Sequence, residues 1–357
     1  MAQPSTTRAV RIFEHGSEDV LRFAEYPLEP AGPTDVVVRV AAASVSRWDL
    51  KYRVGLPPSA QLPGRRFFPL PQQLGREAAG VVVHVGAEVT QVAVGDHVVG
   101  VVHPEAPLSV EAARGLGNLS TGVDLPGHQS FGGYAEFLVR DQSLWFRLDP
   151  HVDLEQAAVT LWAFATSHRV VQDRLDVRIG DSVLVLGASG GMGAATVALA
   201  SMLGARVVAA TRSRAKVDGL RAIGAHEVVV VDDLAAASDR LRSFTSDTGL
   251  DHVVDYVGDV DLLRWSVGQI GLGGKLVVST GESGPLPLTV ADFLRTELTV
   301  LGIRGARRRD ALVVLDLLSR GRIHTPIAAR FALADVAQAH RFLDSNRDAV
   351  GRVVLIP

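Results

Sequence analysis

The sequence contains no cysteine, which excludes disulfides, thiolate metal sites and cysteine nucleophiles. It also lacks any excess of positive charge: 36 Lys and Arg against 39 Asp and Glu leave a formal charge of -3. Such a chain has no overall field to hold a polyanion, so neither nucleic acid nor an anionic membrane surface is expected as a partner. The one basic run, Arg307-Arg308-Arg309, abuts a helical pattern and reads as a solvated helix end rather than a binding patch. No apolar stretch reaches the roughly 18 to 20 residues that span a bilayer, and residues 1–7 are polar where a signal peptide would be apolar. The expectation from these absences is a cytoplasmic protein. Internal repeats and low-complexity tracts are missing too. With 47% hydrophobic and 21% charged residues, the chain falls among ordinary globular proteins rather than disordered or fibrous ones.

At 357 residues the chain is long for one core, because domains usually hold about 100 to 200 residues. Its pattern changes along its length. Residues 9–13, 35–43, 80–85, 97–102 and 134–139 read as short strands punctuated by Gly and Pro, and alternation such as Val36-Val37-Val38-Arg39-Val40 suits a half-buried sheet. Residues 103–132 interrupt these strands with a stretch long for a structureless connection, the mark of a lobe with a function or the vestige of one. After Asp153, residues 154–172 read as a helix. Continuous apolar strands follow at 183–186, 207–210, 228–231, 252–257 and 276–279, separated by helical patterns such as 194–203 and 234–246. Continuous rather than alternating apolar strands predict a parallel sheet buried on both faces, in a doubly wound α/β domain. Helices at 309–319 and 333–344 and a strand at 352–356 close the chain, the last expected to return to the first domain.

The sharpest local signal is Val183-Leu184-Val185-Leu186-Gly187-Ala188-Ser189-Gly190-Gly191-Met192-Gly193, a buried strand turning straight into a helix. Glycines are needed where a tight turn and close backbone approach leave no room for a Cβ, while the free amides and dipole of the helix start attract a pyrophosphate. With the strand before it and the helix after it, the loop predicts dinucleotide binding through Gly187, Ser189, Gly190, Gly191, Met192 and Gly193. About 20 residues further on, NAD-binding domains place Asp or Glu against the ribose hydroxyls. Here the segment is Thr211-Arg212-Ser213-Arg214-Ala215-Lys216. A carboxylate would repel a 2′-phosphate, whereas Arg212, Ser213, Arg214 and Lys216 would bind it through charge-assisted hydrogen bonds, so NADPH is the expected cofactor. The same cations also fit a plain exposed helix start. Asp255-Tyr256-Val257-Gly258 and Ser279-Thr280-Gly281 end two parallel strands on the edge where ligands bind in open α/β sheets, which makes Val257, Gly258 and Thr280 expected cofactor neighbours.

With the loop in place, the chain resembles the medium-chain dehydrogenase/reductase superfamily, which includes the alcohol dehydrogenases and quinone oxidoreductases. The matching pieces are Leu74-Gly75-Arg76-Glu77-Ala78-Ala79-Gly80-Val81-Val82, Val94-Gly95-Asp96-His97-Val98, Gly132-Gly133-Tyr134-Ala135-Glu136-Phe137, the glycine loop, and Val350-Gly351-Arg352-Val353-Val354-Leu355. The resemblance implies a β-rich, GroES-like catalytic domain built from both chain ends, residues 1–152 and 304–357. It implies a central Rossmann domain at 153–303, an active site in the cleft between the two, and a homodimer. In zinc-dependent members the metal is held by an early Cys-x-x-Asp-x-His segment, a Gly-His-Glu segment and a Cys or Asp near the central domain. The corresponding residues here are Ser46-Arg47-Trp48-Asp49-Leu50-Lys51, Gly75-Arg76-Glu77 and the neighbourhood of Trp162. Ser, Arg and Trp replace ligands, and a guanidinium repels Zn²⁺, so no metal is expected. The residues 103–132 look like the structural-zinc lobe of those relatives kept without its metal.

Relatives without zinc reduce quinones and enones with the nicotinamide directly, which suits a chain without the ligands because hydrogen-bond donors can stabilise the conjugated oxygen. The leading expectation is an NADPH-dependent, zinc-independent reductase of an enone, enoyl compound or quinone, with a small molecule as its substrate. A metal-free carbonyl reductase or alcohol dehydrogenase, and a cofactor-binding protein with a non-redox biosynthetic or sensor role, stay open beside it. Ser46, Lys51 and Tyr52 are candidate donors to the developing enolate; they also fit a strand-end turn, a surface lysine and a packed tyrosine. Arg76 and Glu77 read as an ion pair filling the vacant metal pocket. Trp162, Phe164 and His168 read as helix core, with Phe164 and His168 on one face. Thr166 matches a threonine near the nicotinamide in relatives, and Arg352 a basic residue that approaches the pyrophosphate.

Overall fold

The computed structural model describes residues 3–56, 66–280, 285–346 and 348–357. The chain divides into two compact units: a terminal unit of Met1–Trp162, Arg307–Asn346 and Arg352–Pro357, and a central unit of Ala163–Ala306 with Arg347–Gly351.

The terminal unit opens with strands β1 (Thr6–Ile12), β2 (Arg22–Pro27) and β3 (Asp35–Val45), then helix α1 (Arg47–Val54). It continues through β4 (Gln72–Gln73), β5 (Ala78–Val85), β6 (His97–Gly100), the short α2 (Val110–Ala113), β7 (Phe137–Asp141) and β8 (Trp145–Arg147). Helix α3 (Leu154–His168) carries the chain over the division between the units. After it the i→i+4 ladder widens into π-helical turns, Arg169–Arg174, where the reading of one continuous helix to residue 172 gives way. The buried Arg169 guanidinium there donates to the carbonyls of Arg304 and Gly305.

The central unit follows as β9 (Ser182–Leu186), α4 (Gly191–Met202), β10 (Arg206–Thr211), α5 (Val217–Ala222), β11 (Glu227–Val230) and α6 (Leu234–Thr245). It ends with β12 (Leu250–Asp255), α7 (Val260–Val267), β13 (Ile270–Val278), α8 (Val290–Thr296) and β14 (Thr299–Gly302). Helix α9 (Arg308–Ser319), β15 (Ile327–Ala332), α10 (Val336–Ser345) and β16 (Arg352–Ile356) return to the terminal unit.

The central strands form one parallel sheet in the order β11-β10-β9-β12-β13-β14, so numbering from β9 gives the doubly wound order 3-2-1-4-5-6. Every residue of β9 is buried, as its continuous apolar run requires in a strand flanked on both sides and covered on both faces. Leu184, Leu186, Val208, Val253 and Leu276 lie at the heart of this core, each such side chain adding about 1.5–3 kcal/mol by leaving water. Ligands in this topology bind where the strand order reverses, between β9 and β12.

The terminal unit has one sheet ordered β15-β16-β3-β5-β6-β8, with β7 on β3, and a smaller one ordered β2-β1-β4. The long β3 is its spine: β5 and β7 pair with it antiparallel, and so does the last strand, through Val353 opposite Val45 and Val354 opposite Ser44. β16 thus returns to the N-terminal sheet as its apolar pattern predicts. Residues 103–132 carry α2 and a single 3-10 turn, Gly117–Leu119. Among the described residues no helix is long and apolar enough to cross a membrane.

Candidate functional site

The glycine loop leaves β9 through Gly187, whose φ of +74° is the left-handed conformation that a side chain would strain. A Cβ on Gly193 would stand 2.2 Å from the Gly187 carbonyl oxygen, so only glycine lets α4 close this tightly on the loop. Gly190 is the N-cap of α4 and offers no side-chain cap. The amides of Gly191, Met192 and Gly193 precede the first possible intrahelical acceptor, and they sit at the positive end of the helix dipole, the elementary features of an anion site. The second cluster reaches the first: Lys216 Nζ donates to Ser189 Oγ at 3.3 Å. The Gly351 amide donates to the Ser189 carbonyl at 3.2 Å, tying the C-terminal approach to the same loop. Arg212 and Arg214 are exposed just beyond the end of β10, and the Ser213 amide donates to Thr211 Oγ1 at 3.2 Å. No carboxylate stands in the Thr211-to-Lys216 segment.

Thr166, on α3, is 2% exposed, and its hydroxyl has no hydrogen-bond partner. A buried orphan hydroxyl costs about 1–3 kcal/mol unless a bound group satisfies it. Its neighbours are fully engaged. Ser167 Oγ donates to the Met192 carbonyl at 3.0 Å, and Thr196 Oγ1 lies 2.9 Å from Ser167 Oγ and 2.7 Å from the Tyr256 hydroxyl. Burial pushes the Tyr256 phenol up to about 12, so it stays neutral in this chain of hydroxyls. Asp255, at the end of β12, accepts the amides of Val257 at 2.8 Å and Gly258 at 3.1 Å, and burial raises its carboxyl against those bonds. Val257 and Gly258 therefore lie on a turn shaped by Asp255, and Thr280 just past the end of β13, whose neighbour Gly281 lies outside the described residues. The Ser167–Thr196–Tyr256 link has no local sequence signal, because its members are 29 and 60 residues apart.

The uncapped amides and the glycine cradle fit the pyrophosphate of a nicotinamide dinucleotide, and the buried Thr166 hydroxyl is left without a partner for a bound group to meet.

In the terminal unit, Ser46 caps α1 in a reciprocal box. Its hydroxyl donates to Asp49 Oδ2 at 2.6 Å, and the Asp49 carboxylate accepts the Ser46 amide at 2.8 Å. The Ser-x-x-Asp spacing that signals such a cap was legible in the sequence, although α1 was not expected there. Asp49 also accepts the Gly75 amide at 2.9 Å, and burial raises its carboxyl despite these bonds. On α1, Lys51 Nζ lies 5.0 Å from the centre of the Trp48 ring. Tyr52 is buried, stacked on His128 at 4.4 Å and beside Phe68 at 5.4 Å, with its hydroxyl 3.2 Å from His128 Nδ1.

The expected pair of Arg76 and Glu77 does not form. Glu77 is fully buried and pairs with Arg352 through Oε2 while accepting Ser44 Oγ at 2.6 Å and the Trp162 amide at 2.8 Å. Arg76 turns the other way, donating to the Val102 carbonyl at 2.9 Å and lying 4.9 Å from the Trp162 ring centre. Adjacent residues entering β5 point to opposite faces, which separates the two. The same packing relocates Arg352. Expected beside a pyrophosphate, its guanidinium instead donates to Glu77 and, at 2.8 Å, to Ser44 Oγ, because β16 lies next to β3. Phe164 is buried as expected of helix core, and His168 is half-buried at the end of α3. Ser46, Arg76, Glu77 and Trp162 do not fit a catalytic zinc: the one carboxylate among them is neutralised by Arg352, and the guanidinium and indole offer the metal no lone pair. Among the described residues no group of three or more His, Asp or Glu is placed to hold a metal ion.

Two family models match the chain. The family described as Alcohol dehydrogenase GroES-like domain matches residues 32–150, and that described as Zinc-binding dehydrogenase matches residues 191–320. The quinone oxidoreductase of Pseudomonas aeruginosa is 29% identical over 98% of this chain and 99% of its own length. The 2-methylene-furan-3-one reductase of Solanum lycopersicum is 28% identical over 99% of this chain and 80% of its own. A solved NAD-dependent alcohol dehydrogenase superposes with a TM-score of 0.90 at 30% identity, covering 98% of this chain and 99% of that one.

Proposed function

We propose, on the premise that this chain belongs to the medium-chain dehydrogenase/reductase superfamily, that it is an NADPH-dependent, zinc-independent reductase of a small conjugated carbonyl: an enone, an enoyl compound or a quinone. Enzymes of this family are oxidoreductases that use a nicotinamide cofactor. The observation that carries the finer reading is the joining of two clusters, the uncapped start of α4 and the basic segment after β10, through Lys216 and Ser189. Amides bind the pyrophosphate, while Arg212, Ser213, Arg214 and Lys216 take the 2′-phosphate. The name of the tomato relative supports a conjugated acceptor, and the unsuitability of Ser46, Arg76 and Trp162 as metal ligands supports chemistry without zinc.

When bound, the dihydronicotinamide supplies a hydride. Held by the α4 amides and the basic segment, it would reduce an enone at its β-carbon and be oxidised itself, which would leave charge on the carbonyl oxygen and a proton to be placed on the α-carbon. The chain's task is to hold the acceptor, stabilise that oxygen and deliver the proton. Lys51 and Tyr52 are the donors we assign, Tyr52 with His128 at its hydroxyl as a group able to return a proton. The Ser46 hydroxyl serves the α1 cap instead.

The test is binding followed by turnover. NADPH should bind more tightly than NADH, and the ratio of the two affinities should fall about tenfold in Arg212→Ala/Arg214→Ala, the loss expected for a charge-assisted hydrogen bond. NADPH oxidation should be faster with an enone than with its saturated ketone. The likeness to an NAD-dependent alcohol dehydrogenase favours carbonyl reduction as the second reading, and faster turnover of the saturated ketone would select it. Cofactor binding without consumption across the panel would select a non-redox role. We further propose a cytoplasmic homodimer. In support, β14 forms one edge of the central sheet, and Leu272, Val290 and Leu294 are exposed in the same unit.

A further inference from the structure

Arg76 is 4% exposed and makes one hydrogen bond, from Nη2 to the Val102 carbonyl; its Nε is buried with no acceptor, and it forms no ion pair among the described residues. A guanidinium carries five N–H donors and cannot shed its charge. Buried charges are normally paired, because leaving water uncompensated is costly. The two buried carboxylates nearest in sequence are committed elsewhere: Glu77 to Arg352, Asp49 to Ser46 and the Gly75 amide. The placement of Arg76 is nonetheless enforced. The preceding Gly75 has a φ of +93°, and a Cβ there would meet the Tyr134 ring at 2.5 Å, so the backbone that aims Arg76 tolerates only glycine.

The surroundings are those of a planar receptor. The guanidinium faces the Trp162 ring at 4.9 Å, and His103, half-buried, meets the same ring edge-on at 6.1 Å between centres. The Trp162 amide is fixed by Glu77, which holds this wall in place. Arg140, another buried arginine without a carboxylate among the described residues of this unit, likewise donates to one carbonyl, that of Phe131 at 2.8 Å, and buries an unmatched nitrogen, Nη1, but it sits on β7. It lies 5.4 Å from the Trp145 ring centre on a strand within the sheet, and burial alone draws its pKa down to about 10.

We propose that Arg76 is an anion anchor and that the acceptor carries a carboxylate, which docks on the unmatched Nε edge of this guanidinium against Trp162. A flat fork whose face is covered by an indole presents its donors in its own plane, the geometry that a carboxylate matches with two parallel hydrogen bonds. Arg76 is thus a specificity-determining residue, and the substrate class narrows to conjugated carbonyl acids. The inference rests on the reading of the chain as a conjugated-carbonyl reductase, and its test separates the two.

The probes are 4-oxopent-2-enoate and its methyl ester as acceptors, with levulinate, the reduced acid, as an unreactive ligand. The wild-type chain should show a higher kcat/KM for the acid than for the ester. In Arg76→Met the acid-over-ester ratio should fall about tenfold or more, through KM, as expected when a charge-assisted bond is lost; Arg76→Lys should keep part of the preference. Melting temperature and NADPH affinity verify that each variant is folded, and Arg76→Gln replaces the Met variant should that fail to fold. No preference for the acid in the wild type, or equal loss on acid and ester in the Met variant, overturns the proposal. If neither acceptor consumes NADPH, the reductase reading fails, but calorimetry still decides the anchor. Levulinate binding that weakens about tenfold in Arg76→Met supports it, and binding that is absent or insensitive to Arg76 overturns it.

Discussion

Two glycines of the cofactor loop are required for different reasons, and alanine substitutions separate them. A Cβ on Gly193 would meet the Gly187 carbonyl oxygen at 2.2 Å and the Ala188 Cα at 2.7 Å, both backbone atoms that cannot swing aside. Gly193→Ala must therefore push α4 off the loop by roughly an ångström, the overpacking that typically costs about 1–3 kcal/mol. At about 2–4 °C per kcal/mol for a domain of this size, the melting temperature should fall by about 2–12 °C. Because the displaced amides are those proposed to hold the pyrophosphate, NADPH affinity should fall with it. At Gly190 the nearest atom to an added Cβ is the Gly187 oxygen at 3.5 Å, an ordinary distance, and φ is -79°. Gly190→Ala should therefore leave the melting temperature of the cofactor-free protein within about 1 °C. It should still weaken NADPH by about tenfold, the worth of one charge-assisted hydrogen bond, because the methyl group occupies the space beside the free amides. Thermal melts without ligand and isothermal calorimetry with NADPH measure both quantities. Undiminished NADPH affinity in Gly190→Ala would refute the assignment of these amides, and an unshifted melting temperature in Gly193→Ala would refute the tight closure of α4.

Thr166→Val removes a buried hydroxyl that has no partner; the cofactor-free protein should melt at an equal or higher temperature while NADPH binds more weakly, and loss of stability would show that the hydroxyl is satisfied within the fold. Glu77→Gln leaves the Arg352 guanidinium buried without its countercharge, so chemical denaturation should report about 3–5 kcal/mol less stability; a change under 1 kcal/mol would mean the pair is not buried in solution. Burial, aided by the nearby Arg53, pulls the His340 imidazole down to about 3, while its rings nitrogens meet Tyr134 at 3.2 Å and Arg53 at 3.2 Å. Below its ordinary pKa of about 6.5 the unfolded chain takes up a proton that the folded chain refuses, so stability falls with pH from there toward 3, by up to about 1.4 kcal/mol per pH unit from this site. Melting temperatures of His340→Gln against wild type at pH 7 and 5 check this, since the variant should lose less on acidification, and parallel losses would contradict it.

Much of the central unit is legible in one dimension because its signals are local. A continuous apolar run means a strand covered on both faces, and glycines placed between such a strand and a helix mean a turn with no room for side chains; β9, α4 and the order of alternation follow from neighbours a few residues apart. Two of the elements that the pattern leaves out have little apolar surface to bury. β2 is exposed along nearly its whole length and β15 is at most half-buried, so neither leaves an alternating trace. Helix α1 is polar, and only its Ser46–Asp49 cap marks it.

Cysteine-free composition, the glycine loop and the basic residues after β10 are properties of the chain read residue by residue, and from them follow the doubly wound domain, the expectation of a dinucleotide and the absence of thiolate ligands. Which partner each buried charge takes was decided only by tertiary packing. Glu77 pairs with Arg352, 275 positions away, rather than with the arginine beside it, because β16 lies against β3 and because side chains alternate across a strand. Charge pairing falls off steeply with distance in space and takes no account of distance along the chain, so no local pattern could reveal that Arg76 would be a buried cation left without a carboxylate.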